Sequence, residues 1–288
     1  MIVSSLIPLL AFLAVTGDDP PIADHVAANV IAVPEGLGLD PFYKKYVDAN
    51  GITVVGSEKV PDAAILAARD IVNHMLLKRG DLREAMVQRK MRVIVMAQSE
   101  STTDLPEQRN WKKPTRDDPR LTDDERQHYE ERIGKLTDKE YWDRRARGMG
   151  GNPTSCAEEN LLGYPGTRYF GENILVHEFS HGIMDVGIRR ADPDLYRRIR
   201  STYDEAMKAG LWKKSYAANT VAEYWAEGTQ TWFWSNYEYV DKGRRVMTPD
   251  ELKDYDPKLY NLLAEVYADH KIPTDVYHAK ELRPGRRR

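Results

Sequence analysis

Two histidines and a glutamate lie within five residues of one another in the segment His177-Glu178-Phe179-Ser180-His181. If this segment is helical, its two histidines lie about one turn apart on the same face, so both imidazoles can reach one zinc ion at ~2.0–2.1 Å. Glu178 then lies beside the metal, where its carboxylate can accept a proton from water. The segment therefore predicts two metal ligands, His177 and His181, and a general base, Glu178.

The flanks of this segment favour a helix that begins near Gly171 or Glu172. The apolar residues available for its packing surface are Ile174, Val176, Phe179, Ile183 and Met184. Zinc sites with a third histidine ligand extend the motif to His-Glu-x-x-His-x-x-Gly-x-x-His. Because Gly187 occupies the position of the final histidine, this class of site is excluded.

The third ligand is instead expected on a later helix, within residues 216–234. Glu223 and Glu227 are four residues apart there and share one helix face. One carboxylate can bind the metal, while the other can accept a hydrogen bond from a ligand histidine and so set its tautomer. The alternative is that Thr220 and Glu223 form a capping box that only starts the helix. Capping alone would leave Glu227 unexplained.

Tyr216 lies seven positions before Glu223, where the sequence Glu-Tyr-Trp-Ala-Glu begins. This pattern resembles the thermolysin-type (gluzincin) metallopeptidases, in particular the catalytic domain of anthrax lethal factor, over roughly residues 166–236. The resemblance implies that Glu223 is the third zinc ligand and that Glu227 is a carboxylate behind the ligands. It also implies that Tyr216 stabilises the oxyanion or protonates the leaving amine, and that Asp185 supports the site.

The activity implied by this resemblance is that of a zinc-dependent endopeptidase with Zn²⁺ as cofactor and a peptide or protein as substrate. A non-catalytic exported zinc-binding module and a zinc amidase acting on cell-wall peptides are the alternatives. Structural zinc sites normally have four protein ligands with cysteine prominent, and Cys156 is the single cysteine of this chain. The neighbours of Cys156 show no catalytic-cysteine signature, which favours a buried core thiol over a nucleophile or a ligand.

The amino-acid composition is that of a globular protein. The chain has 288 residues, of which 41% are hydrophobic and 30% charged, with a net charge of -3. It can bury a sizeable core, and its charge density excludes a polytopic membrane protein. Acidic and basic residues are interspersed and no basic domain stands out, so no nucleic-acid partner is expected.

The N-terminal segment from Ile2 to Val15 is almost wholly apolar, and the first charged residue is Asp18. The run is too short to span a bilayer comfortably, which takes ~20 apolar residues, but it matches the apolar core of a signal peptide. We therefore expect a signal peptide at residues 1–17 and a secreted or periplasmic protein without stable membrane insertion after cleavage. An uncleaved anchor is the alternative.

Residues 24–288 are expected to form a single α+β domain with a zincin-like metalloprotease fold. A β-rich N-terminal lobe with a mixed sheet precedes a helical C-terminal lobe, and the metal motif lies at their junction. A charged insertion at about residues 99–150 is expected to pack on this domain. Short β-branched or apolar runs predict strands at 30–33, 52–55 and 91–96.

Capping signals and one further strand complete the expected elements. Asp192-Pro193 predicts the start of a helix that ends at Gly210. Thr248 begins a capping box, and Asp256-Pro257 predicts another helix start. The segment Thr167–Phe170 is predicted to be an edge strand on which an extended substrate could dock.

Overall fold

The computed structural model describes residues 28–119 and 121–273. The predicted signal peptide at residues 1–17 lies outside the described residues, so it stays a prediction together with the location that it implies. Within the described residues, no helix is long and apolar enough to cross a membrane.

A five-stranded mixed sheet forms the N-terminal half. Its strands, in spatial as well as chain order, are β1 (Ile31–Ala32), β2 (Lys45–Ala49), β3 (Ile52–Gly56), β4 (Arg92–Met96) and β5 (Thr154–Ala157). The pairs β1–β2 and β2–β3 are antiparallel, whereas β3–β4 and β4–β5 are parallel. The predicted α+β class with a mixed sheet is therefore confirmed, with β2 and β5 added to the three predicted strands.

Helices cover one face of this sheet and build the C-terminal half. Those up to the metal motif are α1 (Asp62–Met75), α2 (Gly80–Gln88), α3 (Asp123–Gln127), α4 (Asp138–Arg145), α5 (Glu158–Leu161) and α6 (Ile174–Gly182). Those that follow are α7 (Arg189–Ala191), α8 (Pro193–Ala209), α9 (Val221–Trp232), α10 (Pro249–Tyr255) and α11 (Pro257–Val266). A hairpin of β6 (Tyr239–Asp241) and β7 (Arg244–Val246) lies between α9 and α10.

The predicted helix caps are confirmed. The side chain of Asp192 accepts a hydrogen bond from the backbone at the start of α8, and Gly210 ends that helix in the left-handed conformation at φ 74°. Thr248 forms a capping box at α10, and the side chain of Asp256 caps α11. These local signals determine where the C-terminal helices begin and end, and packing of their apolar faces then joins them to the sheet in one core.

Residues 99–150, which the sequence predicts to be a charged insertion, contain a small apolar cluster. Its buried members are Leu121, Tyr129, Ile133, Tyr141 and Trp142. At its end the chain returns to the sheet, where Met149 pairs antiparallel with Ser155 of β5 through N–H···O distances of 3.1 and 2.9 Å. The sheet therefore gains a short antiparallel edge next to α6.

The edge strand predicted at Thr167–Phe170 is wrong, because these residues form turns. Gly166 and Gly171 flank them at φ 79° and 111°, which glycine adopts without strain and which interrupts an extended strand. The side chains of Arg168 and Tyr169 donate hydrogen bonds to backbone carbonyls at the C-terminal end of α4. This segment thus joins α4 to α6, and the edge beside the metal motif is formed by Met149.

Candidate metal centre

Helix α6 begins at Ile174, two to three residues later than expected, because Asn173 is its N-cap. The Asn173 side chain accepts from the backbone N–H of Val176 at 3.1 Å. The buried side chain of Asn160 accepts from the Ile174 N–H and donates to the Glu172 carbonyl, both at 2.8 Å. The side chains of Asn160 and Asn173 therefore both bind the first turn of the helix, which limits how far the metal motif that follows can move.

Thr220 is the N-cap of helix α9, and its hydroxyl accepts from the Glu223 backbone N–H at 3.1 Å. The capping interpretation is thus correct for Thr220. The Glu223 carboxylate, however, points at the histidines of α6: its Oε2 lies 3.0 Å from His177 Nε2 and 3.6 Å from His181 Nε2. One residue therefore contributes its backbone to the cap and its side chain to the site.

The donor atoms of His177, His181 and Glu223 all lie within 4.8 Å of one another. Two donors at 2.0–2.1 Å from a tetrahedral zinc ion would be about 3.3 Å apart, close to the two histidine–glutamate distances found here. Two imidazoles and one carboxylate also form a ligand set that catalytic zinc sites use. The residues present therefore fit a zinc ion.

The charges of the site are strongly coupled. Burial lowers the pKa of His177, but the hydrogen bond to Glu223 and the charges of Glu178 and Glu227 outweigh it and raise this pKa above its usual value. Burial also raises the pKa of Glu223, but its hydrogen bonds to the two histidines lower it well below the usual range. Without a cation, His177 and Glu223 form an ion pair, and a metal ion would replace the proton on His177 Nε2.

Gln230, which is absent from the residues that the sequence predicts, sets the orientation of the His177 ring. Its Oε1 lies 2.8 Å from His177 Nδ1, and its Nε2 donates to the Asn173 carbonyl at 3.1 Å. Because the amide NH₂ is used on that carbonyl, the oxygen must face the ring, so Nδ1 carries a hydrogen. The lone pair of Nε2 is then left for a metal ion on the side of Glu223.

Glu227 lies near His177 but forms its hydrogen bond with another residue. Its Oε1 is 3.8 Å from His177 Nδ1, beyond hydrogen-bond distance, while its Oε2 accepts from the Asn236 amide at 2.8 Å. Glu223, Glu227 and Gln230 are spaced i, i+4 and i+7 and therefore share one face of α9. This spacing, which can be read from the sequence, would have predicted that Gln230 also faces the metal centre.

Asp185 lies away from the other predicted site residues. It is exposed on the π-helical segment Ile183–Ile188 that continues α6, and among the described residues no hydrogen bond or ion pair joins it to the metal centre. The i+4 spacing from His181 places a residue over the preceding turn only while the helix is α-helical. The wider π-helical turns after Gly182 change this spacing, so the supporting role implied for Asp185 is not found.

Glu178 lies beside the donor group, where the backbone on either side of Met149 approaches α6 closely. Burial raises the pKa of its carboxyl, while the two histidines and a hydrogen bond from the Gly150 backbone N–H lower it, and the net shift is upward. A Cβ on Gly150 would lie 2.7 Å from His181 Cδ2. Only glycine therefore allows this backbone to lie against the His181 ring and reach Glu178.

Tyr216 lies in the 3-10 turn Tyr216–Ala218 that precedes α9. Its ring centroid is 6.3 Å from that of His177, and the residue is 45% exposed. A phenol with the ordinary pKa of ~10 is already protonated at neutral pH, and burial and the charge of Glu223 raise the pKa of Tyr216 further. It is thus available as a hydrogen-bond donor next to the metal centre.

The centre opens into a cleft of about 1260 Å³. It is lined by α6, α9 and Tyr216, and also by α4 and the turns before α6, so residues 99–150 supply part of its lining. Cys156 is fully buried on β5, where burial strongly raises the pKa of its thiol.

No protein-family model and no curated protein sequence matches this chain. Among solved structures, the chain is similar to a Pro-Pro endopeptidase from Paenibacillus alvei, with 16% sequence identity and a TM-score of 0.44. The match covers 74% of this chain and 97% of that one. The gluzincin resemblance stays a prediction.

The contact between Gln230 and His177 Nδ1 can be tested by substitution. Gln230→Leu removes the acceptor that orients His177 and should weaken zinc binding about 10–100-fold. Gln230→Glu keeps an acceptor oxygen for Nδ1–H, so its zinc affinity should fall less than that of Gln230→Leu. Its second oxygen cannot donate to the Asn173 carbonyl, so this variant should unfold at a lower temperature than the wild type. Competition with a chromophoric zinc chelator measures both affinities, and thermal unfolding of the zinc-free variants checks that they are folded. Wild-type affinity in Gln230→Leu would contradict the assignment.

Proposed function

We propose that this protein is a zinc-dependent endopeptidase. The observation that carries the proposal is the convergence of His177, His181 and Glu223 beside the carboxylate of Glu178, at the bottom of an open cleft. A volume of about 1260 Å³ exceeds the 300–1,000 Å³ typical of small-molecule sites, which supports a peptide as the occupant. We also propose that the enzyme is exported, because its apolar N-terminal segment matches the core of a signal peptide.

His177, His181 and Glu223 would hold the zinc ion, which when bound supplies a Lewis acid that polarises the peptide carbonyl and makes water acidic. Glu178 accepts the proton of the attacking water and then donates it to the departing amide nitrogen. The Gly150 N–H holds this carboxylate in place.

Tyr216 donates its phenolic hydrogen to the oxygen that becomes negative during the attack. A tyrosine hydroxyl is protonated throughout the neutral pH range, so it acts as a donor there. Zinc in a purely structural role would normally have four protein ligands. The group found among the described residues has three, and they lie next to a carboxylate that a structural site does not need.

Substitution of the general base tests the reaction. Glu178→Gln should retain zinc but lower the hydrolysis of casein or a quenched-fluorescence peptide pool by 10²–10⁴-fold, as loss of general-base catalysis does. Asp185→Asn is the matched control, since it removes an exposed carboxylate from the continuation of the same helix and should leave zinc content and hydrolysis unchanged. Full activity in Glu178→Gln would rule out its role as base.

Tyr216→Phe removes one donor without changing the ring. We expect kcat to fall about 10²-fold, as loss of a single oxyanion donor does, with little change in zinc content. Because the interaction forms in the transition state, KM should change little. Tyr196→Phe on α8, outside the cleft, is the control. An unchanged kcat in Tyr216→Phe would show that the hydroxyl takes no part.

A further inference from the structure

The segment that carries Tyr216 turns sharply between α8 and α9. Between Gly210 and Lys214, alternate residues adopt the left-handed conformation: Gly210 at φ 74°, Trp212 at φ 58° and Lys214 at φ 62°. Residues with a Cβ disfavour this conformation. They keep it where the surrounding structure fixes them, and such positions are concentrated at functional sites. The contacts that fix this turn therefore concern the placement of Tyr216.

Trp212 is the buried centre of this turn. Its indole stacks on the ring of Tyr239 at 5.3 Å between centroids and meets the ring of Tyr255 edge-on at 5.1 Å. Its backbone N–H donates to the Tyr255 hydroxyl at 2.7 Å, and its indole Nε1–H donates to the Asp256 carboxylate at 2.9 Å. Both N–H groups of Trp212 are thus bound where α10 ends and α11 begins.

Asp256 joins the same turn to α9. Its carboxylate is buried, and the oxygen that accepts from Trp212 also accepts from the Tyr224 hydroxyl at 2.6 Å. Tyr224 follows Glu223 on α9, so this hydroxyl comes from the helix that carries the third donor of the metal centre. A buried carboxylate is destabilising unless it accepts hydrogen bonds, which favours the arrangement in which Trp212 and Tyr224 both point at it. The turn and α9 are therefore fixed relative to each other.

Hydrogen bonds connect Trp212 to the backbone of Tyr216. The Ser215 N–H donates to the Trp212 carbonyl at 3.0 Å, and the Ser215 side chain is the N-cap of the 3-10 turn that begins at Tyr216. On the other side, the Ala218 carbonyl accepts from the Tyr203 hydroxyl of α8 at 2.9 Å. The backbone of Tyr216 is thus held from both directions.

The Tyr216 side chain depends on this backbone for its position. It is nearly half exposed, and among the described residues no hydrogen bond reaches its hydroxyl. The ring lies beside His177 because the turn places it there. A donor for a developing oxyanion must be placed accurately, since a small displacement of a catalytic group removes much of its effect.

We propose that Trp212 is a positioning residue: held by Tyr255 and Asp256, it fixes the turn that places the Tyr216 hydroxyl beside the metal centre. The inference rests on the proposed peptidase function, in which Tyr216 donates to the oxyanion. If Trp212 only filled the core, its contacts would affect folding stability and would not act through Tyr216.

Tyr255→Phe tests this role with the loss of one oxygen, because it removes the acceptor for the Trp212 N–H and keeps the packed rings. With zinc-loaded protein and one quenched-fluorescence peptide, kcat should fall about tenfold while KM changes little, since the displaced hydroxyl acts in the transition state. In the Tyr216→Phe protein, adding Tyr255→Phe should lower kcat by less than about twofold, because the positioned group is already gone.

Trp212→Phe, which removes the indole donor to Asp256, is the second variant and should behave in the same way. Tyr267→Phe is the matched control, since it also removes a buried hydroxyl, 3.2 Å from Thr229 Oγ1, but lies outside the turn. It should leave kcat unchanged. Thermal unfolding of every variant reports stability separately, and if Trp212→Phe does not fold, Tyr255→Phe decides.

A fluorine NMR signal reports the position of Tyr216 without any hydrolysis. With 3-fluorotyrosine at position 216, Tyr255→Phe should shift or broaden the resonance of the zinc-loaded protein, whereas Tyr267→Phe should leave it unchanged. An unchanged resonance in Tyr255→Phe would overturn the proposal. So would an unchanged kcat, or a loss of kcat that is equally large with and without the Tyr216 hydroxyl. If the starting protein cleaves no peptide, the proposed function fails, and the fluorine signal still decides whether Trp212 holds Tyr216.

Discussion

The contact between His177 Nε2 and Glu223 Oε2 is the interaction on which the arrangement of the site depends, because it joins α6 to α9. Charged groups taken out of water destabilise a protein unless they are paired and hydrogen-bonded. Here the imidazole is paired on one side with Glu223 and bonded on the other to Gln230. The caps at Asn173 and Thr220 hold the two helices so that these partners meet.

The N-terminal half contributes the platform and one face of the site. Helix α6 packs on the sheet next to β5. The backbone N–H of Gly150 can donate to Glu178 only if the segment that pairs with Ser155 of β5 lies very close to α6. Gly148 and Gly150 allow this approach, since a Cβ at either position would collide with α6 or His181. The site is therefore assembled from an edge and two helices that are far apart in the sequence.

Much of this could be predicted because its signals are local: the His-Glu-x-x-His spacing, the carboxylates of α9 and the caps of α8, α10 and α11. The missing parts depend on tertiary partners. β5 is a short run of small residues whose extended form comes from pairing with β4, and Gln230 acquires its role only through His177 and Asn173. The π-helical turns that place Asp185 in solvent have no comparable local signal.

The most direct test of the account is to locate the metal in crystals of the protein grown with zinc, using anomalous diffraction recorded on both sides of the zinc absorption edge. The account predicts one strong peak bounded by His177 Nε2, His181 Nε2 and a Glu223 carboxylate oxygen, with Gln230 still bonded to His177 Nδ1. A peak held by other residues, or no peak between α6 and α9, would contradict it.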